Sequence, residues 1–203
     1  MTDGGPERAG DLDLSVLVED GRWDVVLAGG RPALEDLAAV AVSAALAGAG
    51  EAEAALSLAV VLADDARVAA LNAAYRGREG PTNVLSFAVR DAAPDVAPAP
   101  GLEELGPEEL GPEELGDVIL ALETCRREAG DLGTDLRSHL CHLIVHGVLH
   151  LLGYDHQDDE QAEEMEGLET EILAGLGIAD PYAASGPAGG RAAEMSSRPL
   201  DER

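Results

Sequence analysis

The sequence predicts a single α/β (α+β) domain: a small mixed sheet of about four strands, flanked by helices, with one long histidine-bearing helix. Three observations predict it. Apolar residues switch repeatedly between a two-residue and a helical period from Leu12 to Ile172. The length of 203 residues suits one domain with tails. The span from Val84 to Leu122 holds two strand-like runs without a convincing crossover helix. Those strands should pair antiparallel, because parallel neighbours need a long crossover.

Residues 1–10 and 184–203 are Gly, Pro, Ser and charge without periodicity, and read as disordered tails around a domain at 11–180. Leu12 to Val18 alternates as a strand, with Leu12, Leu14 and Val16 on one face. Arg31 to Leu46 repeats at helical spacing, with Leu34, Leu37, Ala41 and Ala44/Ala45 as its buried stripe and Pro32 in its first turn. Leu56 to Leu62 is a nearly continuous apolar run, as in a buried strand. Asp64 or Asp65 can cap a helix carrying Val68, Leu71 and Tyr75, and Gly80-Pro81 breaks that region. Val84 to Val89 is a strand with Val84, Ser86 and Ala88 on one face. Asp117 to Leu122 is another. Thr134 is expected to cap a long helix ending near Gly153. Asp158 and Gln161 resemble a capping box for a last helix, with Met165, Leu168 and Ile172 as its buried stripe.

Residues 91–115 interrupt this pattern. An Ala/Pro-rich stretch leads into Leu-Glu-Glu-Leu-Gly and two copies of Pro-Glu-Glu-Leu-Gly. The period is too short for a solenoid, so we read an acidic low-complexity loop insertion rather than a mimic of nucleic acid or a tether.

The formal charge is −27 and is unevenly spread. It argues against loose association with nucleic acid. Residues 66–90, however, carry Arg67, Arg76, Arg78 and Arg90 against Glu79 alone, and a local basic face would lie there. Aromatic residues make up 2%, so base-stacking platforms are scarce. Cys125 and Cys141 make no disulfide framework. The chain opens without an apolar run, and no stretch approaches a membrane span, so a cytoplasmic protein without membrane contact is expected.

All five histidines fall between His139 and His156. His139, His142, His146 and His150 share one helix face, and Cys141 faces away. Gly153 can end the helix and turn the chain, so that His156 closes on His146 and His150. Three neutral imidazoles converging this way leave one position of a tetrahedral zinc ion open, as in a catalytic site. We assign one zinc per chain to His146, His150 and His156. His142 and His139 take outer supporting roles, His142 being the better partner. The spacing matches the metzincin metalloproteases, but these need Glu after the first histidine, and here Gly147 stands there. A zinc metallopeptidase is therefore the runner-up.

His146-Gly147-Val148-Leu149-His150-Leu151-Leu152-Gly153-Tyr154-Asp155-His156 resembles the signature of the YbeY family, bacterial endoribonucleases called rRNA maturation factors. The likeness extends to Leu71-Asn72-Ala73-Ala74-Tyr75-Arg76, to Pro81-Thr82-Asn83-Val84-Leu85-Ser86-Phe87 and to Leu115-Gly116-Asp117-Val118-Ile119, and covers about residues 12 to 178. Asn83 stands where the family usually has Asp, removing one charge beside the site, and the Pro-Glu-Glu-Leu-Gly repeat enlarges a loop. The resemblance implies a metal-dependent endoribonuclease specific for single-stranded RNA, acting in 16S rRNA 3′-end maturation and ribosome quality control. It implies rRNA precursor, the small ribosomal subunit and its associated proteins as partners. It implies zinc on His146, His150 and His156 and a functional role for Arg76, whose guanidinium matches two phosphate oxygens. Asp155 could orient a ligand histidine or act as a base; spacing alone leaves both open. The catalytic set is thus Arg76, His146 and Asp155. A ribosome-assembly factor with a structural zinc, closed by His142 or Asp155, is the non-enzymatic alternative.

Overall fold

The computed structural model describes residues 12–91 and 111–183. The expected tails and most of the acidic insertion lie outside those residues. The described part is built on a four-stranded mixed sheet in the order β1-β2-β4-β3, made of β1 (Leu12–Val18), β2 (Leu56–Ala63), β3 (Val84–Ala88) and β4 (Glu113–Ala121). β1 and β2 run parallel, as do β2 and β4, while β3 pairs antiparallel on the far side of β4. The mixed sheet and the antiparallel pairing agree with the expectation drawn from the missing crossover.

Five helices accompany the sheet: α1 (Gly30–Gly48), α2 (Asp65–Arg76), α3 (Leu122–Leu132), α4 (Leu136–Leu152) and α5 (Asp159–Gly175). Side chains alternate between the sheet's faces. Leu58, Val60, Leu62, Val118 and Leu120 join the larger core with α1, α4 and α5. Val61, Ala63, Leu85, Ile119 and Ala121 form a smaller core with Val68 of α2. The strands buried on both faces are therefore apolar at successive positions, which is why β2 reads as a continuous run.

Four local expectations change. Asp135, not Thr134, is the N-cap of α4; its carboxylate accepts from Ser138 N. β4 begins at Glu113, so the last Glu-Glu-Leu of the repeat is strand rather than loop: Glu113 and Glu114 pair with Leu56 and Ser57, and Leu115 is buried. Tyr75 is 71% exposed, with its ring edge-on to Phe87. α3 has no counterpart in the sequence reading. Leu122, Cys125 and Ala129 give it a narrow buried stripe, and the charges of Glu123, Arg126, Arg127 and Glu128 between them mask that signal.

α4 positions the site. It crosses the sheet on the larger core, burying Leu140, Leu143, Ile144, Val148 and Leu151. At Gly147 it comes so close that a Cβ would sit 2.5 Å from Val118 Cγ1. Ser86 Oγ donates to Gly147 O at 3.1 Å and ties β3 to the helix.

Candidate metal centre

One helical turn separates His146 from His150, and α4 ends at Leu152. Gly153 takes φ 104°, the left-handed conformation that glycine adopts at no steric cost, and donates its N–H to the last turn. The chain then folds back, and Asp155 Oδ1 accepts from His156 N at 2.8 Å, shaping the return. The result brings one ring nitrogen each of His146, His150 and His156 within 4.8 Å of one another. The rings of His146 and His150 have centroids 4.6 Å apart, and His156 lies 5.7 and 5.1 Å from them.

Hydrogen bonds on the far side of two rings determine which nitrogens face inward. His150 Nδ1 lies 3.0 Å from Tyr154 O, which can only accept, so Nδ1 carries the hydrogen. His146 Nδ1 lies 2.7 Å from Glu169 Oε1, again an acceptor while ionised. In the neutral rings both Nε2 atoms then carry lone pairs, and these lie 3.1 Å apart. Burial, followed by the neighbouring His146 and His156, pushes the His150 pKa down to about 3, so a proton on His150 does not relieve that contact near neutral pH. A cation does. Two nitrogens on a tetrahedral zinc at about 2.0–2.1 Å would be about 3.3–3.4 Å apart, close to the spacing present. The residues therefore fit zinc. The donor set of three imidazoles also suits other borderline metals.

No fourth histidine, cysteine or carboxylate joins the three among the described residues. His142 groups instead with His146 and Glu169, and its Nε2 is 3.7 Å from Glu169 Oε2. Asp155 spends its oxygens on His156 N and on the Gln157 side chain. His139 is buried farther along the helix. Its Nε2 is 3.4 Å from Glu128 Oε2, near enough for charge attraction but off the line of a hydrogen bond.

Glu169 is the residue the sequence reading missed. It lies on the buried side of α5 between Met165 and Ile172, is fully buried, and accepts a short hydrogen bond from the Tyr182 hydroxyl on Oε2. Burial would raise its pKa, but the nearby His142 and the hydrogen bond from His146 outweigh that and hold it well below the usual carboxylate range. Burial and the adjacent Glu169 push the Tyr182 phenol far up, so it stays a donor. A carboxylate one helical turn after Met165, at a core position, was the available signal: such a group must be paired.

The arginines approach from the other side. Arg76, at the end of α2, is half-buried and donates to Ser86 O at 3.4 Å. Burial and Arg78 lower its pKa, while the nearby Asp155 carboxylate opposes them. Arg90 Nη2 donates to His150 O at 3.0 Å, and its guanidinium lies over Gly153, where any Cβ would strike it. Arg78 is exposed. Asn83 is not turned to the histidines. Its Nδ2 donates to Glu128 Oε2 at 2.9 Å and its Oδ1 accepts from Val84 N. The uncharged side chain thus serves a contact with an acid.

The family model described as Endoribonuclease YbeY matches residues 31–177. An Endoribonuclease YbeY from Paramagnetospirillum magneticum is 58% identical over 129 residues, 63% of this chain and 71% of that one. Another, from Dinoroseobacter shibae, is 44% identical over 178 residues, 87% of this chain and 94% of that one. A solution structure from Thermotoga maritima covers 86% of this chain and 98% of its own at 21% identity, with a TM-score of 0.45, a likeness too distant to bear on the site. On the match of the family model and of a relative 44% identical over 94% of its length, this chain belongs to the YbeY endoribonuclease family.

Proposed function

We propose that this chain is a zinc-dependent endoribonuclease that cuts single-stranded RNA in the cytoplasm, acting on rRNA precursor in 16S 3′-end maturation and ribosome quality control. The observation that carries the metal-dependent chemistry is the pair of facing Nε2 atoms of His146 and His150, with His156 beside them and no fourth side chain closing the set. Family membership supports RNA as the substrate. An open position on three histidines suits an enzyme better than a structural zinc, which a fourth protein ligand would close.

When bound, zinc supplies Lewis acidity to a phosphodiester oxygen. The chain's own residues do the rest. His146, His150 and His156 hold the metal with rings oriented by Glu169, Tyr154 O and the Asp155 turn. Arg76 offers two parallel N–H donors to phosphate oxygens and offsets the charge that builds there in the transition state. Arg90 and the exposed Arg78 hold neighbouring phosphates. Asp155 orients His156 through that residue's backbone N–H or takes a proton from the water that attacks the phosphodiester. A flexible single strand can bend into such a cleft, whereas an A-form duplex presents a stiff surface.

Gly147 speaks against the peptidase reading. A general base in that position would have to be built where even a Cβ meets Val118, so α4 and β4 leave no room for the glutamate. The test is cleavage by the purified protein of single-stranded RNA, of duplex RNA and of an unstructured peptide, with Arg76→Ala alongside. Cleavage confined to the single strand, and a large loss in Arg76→Ala at unchanged metal content, is the expected result. Peptide cleavage with RNA untouched would restore the peptidase, and no cleavage with retained ribosome binding would favour an assembly factor.

A further inference from the structure

Glu169 is the only fully buried acid among the described residues. An ionised carboxylate in such a place carries a large desolvation cost, and an apolar residue of like volume would pack there without it. Its two oxygens are divided. Oε1 takes the His146 Nδ1 hydrogen at 2.7 Å, and Oε2 takes the hydroxyl of Tyr182. Tyr182 reaches it because the chain turns back after α5. Ile178 packs on the larger core, and Asp180 Oδ1 accepts from Tyr182 N at 2.8 Å. The Tyr182 ring also stands edge-on to His142, with centroids 5.9 Å apart.

His142, His146 and Glu169 together could hold a second cation. The hydrogen bonds argue otherwise. Both oxygens of Glu169 already have donors, and His146 would have to give up its Nδ1 hydrogen while its Nε2 serves the other site. A carboxylate behind a metal-binding histidine, donated to by the ring, is instead the common way to hold that ring's orientation and raise its basicity.

We propose that Tyr182 and Glu169 are positioning residues: the Tyr182 hydroxyl orients the Glu169 carboxylate, which keeps the hydrogen of His146 on Nδ1 and its Nε2 lone pair aimed at His150 and His156. The stretch that follows α5 is then part of the site and sets how tightly it binds metal. The affinity half of this inference rests on the metal reading above; the tautomer half does not.

The experiment uses the full chain with three substitutions, Glu169→Met, Glu169→Gln and Tyr182→Phe. In metal-free protein, ¹⁵N spectra report the His146 tautomer and the exchange of its Nδ1 hydrogen. Zinc affinity is measured by competition with a chelator. Glu169→Met should move the hydrogen to Nε2 and weaken zinc binding on the order of 10- to 100-fold, with the midpoint of metal-free thermal unfolding kept or raised. Glu169→Gln, which still accepts, should retain the tautomer and recover part of the affinity. Tyr182→Phe should speed exchange of the Nδ1 hydrogen and weaken zinc binding several-fold. Wild-type tautomer and affinity in Glu169→Met, or lost affinity with an unmoved tautomer, would overturn the role of Glu169. Wild-type exchange in Tyr182→Phe would overturn that of Tyr182. Were Glu169→Met to fail to fold, a Glu169→Gln protein with no loss of affinity and a Tyr182→Phe protein with unchanged exchange would overturn the relay. Failure of the wild type to bind zinc would overturn the metal reading, and the tautomer and exchange comparisons would still decide the relay.

Discussion

His146 and His150 confront each other across 3.1 Å through Nε2 atoms that both carry lone pairs, because each ring's Nδ1 hydrogen is committed to an acceptor behind it. In metal-free protein this contact is unfavourable, and a metal held by His146, His150 and His156 would relieve it and tie α4 to the loop after it.

That relationship predicts opposite effects of one substitution in two states. His150→Ala should leave the metal-free protein about as stable as wild type, since it removes the facing lone pairs. It should abolish the rise in melting temperature on adding zinc, which reflects a stabilisation of about 4 kcal/mol for a site saturated at about 1,000-fold over Kd. Thermal scans with and without zinc check this. An undiminished zinc response in His150→Ala would remove His150 from the site, and the same loss in His142→Ala would indicate a closed structural site.

Gly147 predicts a packing defect with a specific cure. Gly147→Ala places a methyl 2.5 Å from Val118 Cγ1, on a side chain that is fully buried. Overpacking of this kind costs about 1–3 kcal/mol, against which helix propensity returns about 1. Urea unfolding should show a net loss, and Gly147→Ala with Val118→Ala together should recover part of it. Strict additivity of the two changes would mean that the helix and strand do not meet as described.

Asn83 and Glu128 predict a pH-dependent penalty. Burial would raise the Glu128 pKa, but the nearby His139 and the hydrogen bond from Asn83 hold it below the usual range, so this carboxylate stabilises the fold above its unfolded pKa and loses that effect as acid protonates it. Asn83→Asp sets a second carboxylate against it. The variant should be less stable than wild type near pH 7 by about 1–3 kcal/mol. The gap should narrow as pH falls, because a carboxyl whose folded pKa is raised destabilises only while it is ionised. Glu128→Gln in the same chain should close the gap at pH 7. A gap independent of pH would show that charge is not its cause.

The boundary of β4 predicts where the acidic insertion can be cut. Removing residues 92–110 should preserve thermal stability and zinc response, because pairing with β2 starts at Glu113. Extending the cut through Leu115 should lower the melting temperature, since it removes the ladder opposite Leu56 and Ser57 and the buried Leu115. Equal stability of the two deletion proteins would show that the strand's first residues contribute nothing.

What the sequence determined by itself is local. The strands at Leu12–Val18 and Leu56–Ala63, the helix starting after Asp64, the Gly153 end of α4 and the capping of α5 by Asp158 all follow from residues a few positions apart. The three-histidine group was legible for the same reason: a helical turn and a glycine cap bring His146, His150 and His156 together whatever the rest of the chain does. The tertiary structure decided what depends on distant segments meeting. Glu169 and Tyr182 reach the site only because α5 and the turn after it pack beside α4, 23 and more residues on in the chain. Gly147 is required by the approach of Val118 and Ser86, Arg90 caps α4 across 60 residues, and Asn83 meets an acid 45 positions away. Periodicity along a chain records which face of an element is apolar, but not which neighbour will cover it. The pairing with Glu169 that orients the His146 ring is therefore written only in the packed structure.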